Sequence, residues 1–461
     1  MTMELKEEFV EMLRQTLSDE AEALCRAIGE TEPSVSVRVN ESKGALVPAG
    51  AVRVPWCEAG FYLDERPSFT FDPMLHAGLY YVQDASSMFI HQVIKQLINK
   101  PVRYLDLCAA PGGKTTAALQ ALPTGSLVIA NEIVPNRARA LADNVTRWGS
   151  PHAVVTCNAP AQLGRLAHLF DVVATDVPCS GEGMMRKDDE AVAQWSAALV
   201  EQCAARQQSI VSDVWPALRP GGLFIYSTCT YNRRENEDMV QWLIDRLGAE
   251  PVTVPVHDEW SIHPAIDAHF PAYRFMPHRT PGEGLFMSVL RKPDERMATS
   301  LSRKVKTGRE GIVPAAVKSW LSDDVPMVLS EQAGTVVAVP RAHEGAVATL
   351  RQDVNVIHAG VALATVKGKS CVPHHALALS MALRPGAFAA AEVDYRTAMA
   401  YLRGEAITVD APRGPVLVTR RGAALGWVNN LGNRANNLYP KGLRVLSSHI
   451  PDAEPEILGR H

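Results

Sequence analysis

The chain is predicted to be an α/β protein built on a parallel sheet with helices on both faces, and three observations carry that expectation. Strand-like apolar runs alternate with helical segments between residues 102 and 290, the mark of repeated βα units. A glycine-rich turn, Cys108-Ala109-Ala110-Pro111-Gly112-Gly113-Lys114, follows the first of these runs directly. Two later runs, 170–175 and 223–226, each end shortly before a cysteine, Cys179 and Cys229. Ligand crevices in open α/β sheets lie at the carboxyl ends of the strands. Neighbouring strands sit under about 5 Å apart, so this topology sends both thiols toward one pocket.

Taken in order, residues 4–28 read as two short helices. Leu5, Phe9, Leu13 and Leu17 recur every four positions, and Ser18, Asp19 and Glu20 can cap the second helix. Residues 34–40 (SVSVRVN) alternate as a half-buried strand, so residues 1–70 form an expected α+β module. Asp84-Ala-Ser-Ser caps a helix running to about Ile98, and the stretch before it holds His76, Tyr80, Tyr81 and Gln83 as one wall of a cleft or as packing. The main domain is placed at 71–292. Its strands are expected at 102–107, 126–130, 153–156, 171–175, 223–227 and 284–290, and its helices at 115–122, 135–148, 199–218 and 235–247. Pro135 suits the first turn of its helix. A basic linker follows at 293–320. Residues 321–461 read as a small β-rich region with strands at 335–339, 354–357, 361–366, 416–419 and 423–428.

Composition narrows the class. An apolar fraction of 47% with 21% charged residues is ordinary for a globular protein. No run reaches the roughly 18–20 apolar residues of a membrane span. Acids interrupt the first seventeen residues, where an export signal would need an apolar core. None of the eight cysteines (25, 57, 108, 157, 179, 203, 229, 371) falls in a C-x-x-C pair, which argues against a zinc ribbon or a disulfide framework. Free thiols fit a reducing cytoplasm. The net charge of −4 divides unevenly, −11 over residues 1–290 and +7 over 291–461. No acid lies between Asp410 and Asp452, whereas Arg413, Arg420, Arg421, Arg434, Lys441 and Arg444 do. A basic tail on an acidic body points to a polyanionic partner or, more blandly, to a solvated face.

Chemistry concentrates in the main domain. Glycines after a first strand let backbone approach a ligand, and the next helix offers free N–H groups. Glu132 closes the second strand, where a carboxylate can accept hydrogen bonds from ribose hydroxyls. Asp176 closes the fourth, facing either a cofactor or a substrate base. Cys25, Cys57, Cys157, Cys203 and Cys371 read as small core residues. Cys179 and Cys229 differ because Pro, Ser, Thr and Gly surround them at strand ends. There cations or backbone amides can favour the reactive thiolate.

LDLCAAPGGKT (105–115), DVPCSGEGMMRKD (176–188) and YSTCTYNRRENE (226–237) together resemble the RNA cytosine-5 methyltransferases of the NOL1/NOP2/Sun family, most of all its bacterial branch acting on small-subunit (16S) rRNA. The tail GWVNNLGNRANNLYPKGLRV (426–445) resembles that branch's PUA-like domain. The resemblance implies a class I (Rossmann-like) S-adenosylmethionine methyltransferase domain, an RNA-binding N-terminal module and a ferredoxin-like/PUA-like RNA-binding C-terminal region. It implies Cys229 as the nucleophile that adds to cytosine C6, Cys179 as the residue of the release step, and Asp176 at the base and cofactor. Cys108, Ala109, Ala110, Pro111, Gly112, Gly113, Lys114 and Glu132 would bind S-adenosylmethionine, and no metal is implied. One position departs from the pattern: Ala159 stands where the family carries an acid, with Asn158 beside it as the candidate substitute. The expected protein is a cytoplasmic, monomeric RNA methyltransferase acting on rRNA. Two rival readings share these residues, a ribosome assembly factor with weak turnover and a tRNA methyltransferase.

Overall fold

The computed structural model describes residues 5–44, 46–294, 313–368, 370–447 and 449–459; residues 295–312 of the expected linker lie outside them. The centre is one large sheet. Apart from the short strands Glu250–Val252 and Tyr273–Phe275, its strands are β1 (Arg103–Asp106), β2 (Leu127–Asn131), β3 (Ala153–Thr156), β4 (Phe170–Asp176), β5 (Leu218–Thr228), β6 (Leu285–Arg291) and β7 (Val356–Ala359). They lie in the order β6-β5-β4-β1-β2-β3-β7. The five inner strands are parallel, and β6 and β7 run antiparallel to them. Helices α1 (Gly113–Ala121), α2 (Pro135–Trp148), α3 (Ala197–Val214) and α4 (Glu237–Leu247) connect or follow these strands.

Both faces are covered, so consecutive strand residues enter opposite cores. Leu105, Ile129, Val173 and Phe224 pack with Val211 of α3 and Leu243 of α4. Their neighbours Tyr104, Val128, Val172 and Ile225 pack with Ala117 of α1 and with Phe89 and Val93 of the helix Phe89–Leu97. Near-continuous apolar strands, the feature legible in the sequence, follow from this double burial.

The N-terminal module is an antiparallel sheet of Arg53–Val54, Cys57–Leu63, Val35–Val39 and Tyr80–Val82. Arg38 fastens it to the main domain. Its guanidinium, 0% exposed, donates to the side-chain oxygens of Gln83, Gln120 and Thr116 and lies 4.4 Å over the Trp148 ring. The preceding helices, Glu7–Leu17 and Ala21–Glu30, pack instead on Trp195, Tyr231 and Met276 beside the cysteine loops.

The C-terminal region carries two four-stranded sheets, one of Met327–Gln332, Thr335–Pro340, Val361–Lys367 and Ser370–Pro373, the other of Ala389–Glu392, Gly414–Arg420, Ala423–Asn430 and Ala435–Asn437. It also carries helices Glu344–Asp353 and Tyr395–Leu402, which its strand-rich pattern does not reveal. Met399, Leu402 and Val418 share one core with Val37, Val39 and Phe61 of the N-terminal sheet. The strand read near 354–357 belongs to neither C-terminal sheet: as β7 it pairs with β3, Val356 opposite Thr156. Among the described residues no helix is long and apolar enough to cross a membrane.

Candidate active site

The site forms where β1, β4 and β5 end side by side. β1 ends at Asp106, and the turn after it is drawn back against the sheet by Leu107 N–H donating to the Ala174 carbonyl (2.9 Å) and Ala109 N–H to that of Asn131 (2.8 Å). Gly112 (φ +113°) makes the left-handed turn into α1; a Cβ there would be strained and would sit 3.1 Å from Leu141 Cδ1. The unpaired N–H groups of the first turn of α1 therefore face the crevice.

A cavity of about 370 Å³ opens there, lined among others by Asp106, Cys108, Ala109, Lys114, Asp176 and Cys229. Ala110, Pro111 and Gly113 complete the same wall, opposite Tyr81, Gln83 and Asp84. Lys114 Nζ donates to Asp176 Oδ2 (2.8 Å), and Ser227 Oγ donates to Oδ1 (2.9 Å). Burial alone would lower the pKa of Lys114; Asp176 and the Cys229 sulfur together raise it, so the ammonium persists beside that sulfur. Thr115 Oγ1 donates to Asp106 (2.6 Å), whose carboxyl burial pushes up to about 6.

Cys179 and Cys229 meet, with Sγ atoms 3.3 Å apart. The hydrogen bond to Cys229, then burial, push the Cys179 thiol well above its ordinary pKa. Cys229, and not Cys179, lines the cavity.

Beneath the sulfurs lies a polar network that sequence reading missed. Glu182, 0% exposed, accepts from Tyr231 N–H (2.6 Å), Asn232 N–H (2.9 Å), Asn232 Nδ2 (2.7 Å), Trp195 Nε1 (2.9 Å) and Ser180 Oγ (3.3 Å). Glu235 accepts from Ser180 N–H (3.1 Å), Gln207 Nε2 (2.7 Å) and Asn232 Nδ2 (2.9 Å), and burial raises its pKa. The two carboxylates tie the loop after β4 to the loop after β5. An acid between glycines and cations in CSGEGMMRK reads as surface; its position one residue after Cys-Ser-Gly was the only signal.

Three expected cofactor residues, Gly112, Glu132 and Asn158, lie outside that cavity's lining. Glu132, 3% exposed, accepts from Val134 N–H (3.0 Å) and pairs with Arg137 (3.3 Å), which also donates to the Ala110 carbonyl. It therefore stands beside the turn. Asn158 does not reach the crevice: its side chain donates to the Asn355 carbonyl (3.1 Å) and accepts from Asn355 N–H (2.9 Å). Its amide is committed to seating the segment that leads into β7.

A cavity with a helix N-terminus, a turn of mostly small residues, carboxylates and an ammonium on its walls suits a zwitterionic nucleoside such as S-adenosylmethionine. Comparisons agree. Residues 97–291 match the family model for 16S rRNA methyltransferase RsmB/F, residues 5–85 that for the N-terminal domain of 16S rRNA methyltransferase RsmF, and residues 388–445 that for the methyltransferase RsmF PUA domain. The ribosomal RNA small subunit methyltransferase F of Klebsiella pneumoniae (strain 342) is 32% identical, covering 88% of this chain and 90% of its own. That of Erwinia tasmaniensis is 30% identical over 94% and 96%. A methyltransferase homolog from Pyrococcus horikoshii is 26% identical over 62% of this chain and 94% of its own, with TM-score 0.53. The crystal structure of NSun6 from Pyrococcus horikoshii with SFG, 19% identical over 63% and 99%, shares the fold at TM-score 0.54. Matches running from residue 5 to residue 445, with relatives aligned along most of both chains, show that the chain belongs to the RsmB/F family of 16S rRNA methyltransferases, enzymes whose methyl donor is S-adenosylmethionine.

Proposed function

We propose that this methyltransferase acts on C5 of a cytosine in 16S rRNA through a covalent adduct between Cys229 and cytosine C6. The observation that carries the reading is the sulfur pair at 3.3 Å, one member facing the cavity that the Lys114–Asp176 ion pair also lines. C5 is a weak nucleophile until a thiolate adds to C6. Cys229 makes that C–S bond, attacking as the thiolate. In this reading Asp176, held by Lys114 and Ser227, accepts a hydrogen bond from the cytosine ring and so stabilises the adduct. Bound S-adenosylmethionine supplies an electrophilic methyl group, and Cys108 to Lys114 with Glu132 are the residues that would hold it. After transfer the C5 proton leaves to water, its electron pair restores the C5–C6 double bond, and the C6–S bond breaks. The Cys179 thiol, hydrogen-bonded to the departing Cys229 sulfur, stabilises it as a leaving group. The target base must leave its stack to reach this cavity.

The test is product identification. 16S rRNA methylated in vitro with a tritiated methyl donor is digested to nucleosides and separated chromatographically. Label in 5-methylcytidine is expected; label in any other nucleoside overturns the assignment.

A further inference from the structure

The geometry points to the groove between the N-terminal module and the main domain as the seat of the RNA strand flanking the target nucleotide, with Lys187 binding a phosphate at its neck. This deepens, and rests on, the reading of the reaction cavity as a nucleotide site in RNA. The groove has a volume of about 1140 Å³ and is walled by Ser34, Tyr62 and Arg66 on one side and by Lys187 and Trp260 on the other. Lys187 is the residue common to the linings of this groove and of the reaction cavity, so it stands at the boundary between them.

Charge at that neck is undercompensated. Glu283 alone faces both Arg186 (2.8 Å) and Lys187 (3.0 Å). Arg186 spends its fork on Glu283, the Gly282 carbonyl and Thr31 Oγ1. The Lys187 side chain, 30% exposed, has Glu283 as its one ion-pair partner among the described residues. Farther along the groove, Arg53 and Arg66 make no ion pair among the described residues.

A second, independent observation points to a ligand. Ser34 Oγ and Tyr62 Oη, both on the groove wall, are buried without a hydrogen-bond partner, a state native proteins rarely leave unfilled. A single RNA strand answers each feature. Its phosphates meet Lys187, Arg53 and Arg66, its ribose hydroxyls and base edges meet the two free hydroxyls, and its amino groups meet the groove acids Glu32, Asp64, Glu65 and Glu259.

The test reads binding, not turnover. The full-length protein is titrated with an oligo(C) RNA of about 12 nucleotides by fluorescence anisotropy across a salt series. K187Q should weaken binding roughly fivefold and flatten the slope of log Kd against log salt by about 0.7, while K187R stays close to the parent. Y62F, which removes only the free hydroxyl, should weaken binding at an unchanged thermal midpoint. Parent affinity and slope in both K187Q and Y62F overturn the proposal, as does an equal loss of S-adenosylmethionine affinity in K187Q. Because no methyl transfer is measured, failure to find 5-methylcytidine would sink the cytosine chemistry without touching this result.

Discussion

Cys179 and Cys229 come from strands adjacent in space but fifty residues apart in sequence, and their sulfurs are in hydrogen-bonding contact at 3.3 Å. Cys229 lines the cavity and Cys179 does not, so the two thiols are not interchangeable. Cys229→Ala is expected to abolish methyl transfer to 16S rRNA. Cys179→Ala is expected to retain attack and accumulate a protein–RNA adduct, visible as a retarded band on a denaturing gel. Full activity in the first variant, or no retarded species in the second, contradicts the division of roles.

Glu182 accepts five hydrogen bonds with no exposure to water. Glu182→Ala strands those donors in the interior, a loss of roughly 3 kcal/mol or more. Urea unfolding should show the midpoint falling at an unchanged slope. A variant as stable as the parent would mean that water replaces the carboxylate freely.

Arg38 fixes the N-terminal sheet through three side-chain acceptors, two of which, Gln83 and Thr116, are buried. Arg38→Met keeps the aliphatic stem and leaves those acceptors unpaired, at a cost of about 2–4 kcal/mol. The thermal midpoint should drop accordingly. Unchanged stability would show that the module docks by apolar contact alone.

The carboxyl of Asp106 keeps its proton up to about pH 6 in the folded protein. An unfolded chain gives that proton up near pH 4. Between those values the native state binds more protons, so this group makes stability fall as pH rises. Asp106→Asn removes the effect. Its stability relative to the parent should improve between pH 4 and 6 by up to about 2–3 kcal/mol and level off above. Urea titrations at four or five pH values measure this; a constant difference across the window refutes it.

The basic tail is partly structural, since Arg420 pairs with Glu454 and Arg421 donates to the Leu458 carbonyl. Arg413, Arg434 and Lys441 make no ion pair among the described residues. Replacing these three by Gln should weaken 16S rRNA binding and lower the magnitude of the salt slope by about 0.7–0.9 for each phosphate no longer neutralised. An unaltered slope would make this face merely solvated.

How much of this was legible depended on whether the signal was local. The strand at 153–156 and the helix at 135–148 emerge with the bounds their sequence suggests, because an apolar run and a Pro-to-Gly helix are written in neighbouring residues. The pair Cys179 and Cys229 was legible because topology alone sends strand ends to one edge. Glu182 was not, because burial of an acid depends on donors from segments up to fifty residues away. Asn158 misled for a similar reason: its partner, Asn355, lies nearly two hundred residues on. The pattern of β7 was visible, but an alternating strand does not say whose edge it completes. The helices 344–353 and 395–402 were obscured by the strands around them.

That last strand has a consequence for how the molecule is made. Until residue 359 has left the ribosome, the nascent sheet ends at β3 with its backbone groups unpaired, an invitation to foreign strands. Synthesis at roughly 5–20 residues per second leaves that border open for about ten to forty seconds after Thr156 appears. A chaperone, or the speed of translation itself, must guard an enzyme that cannot close its own sheet until three-quarters of it exists.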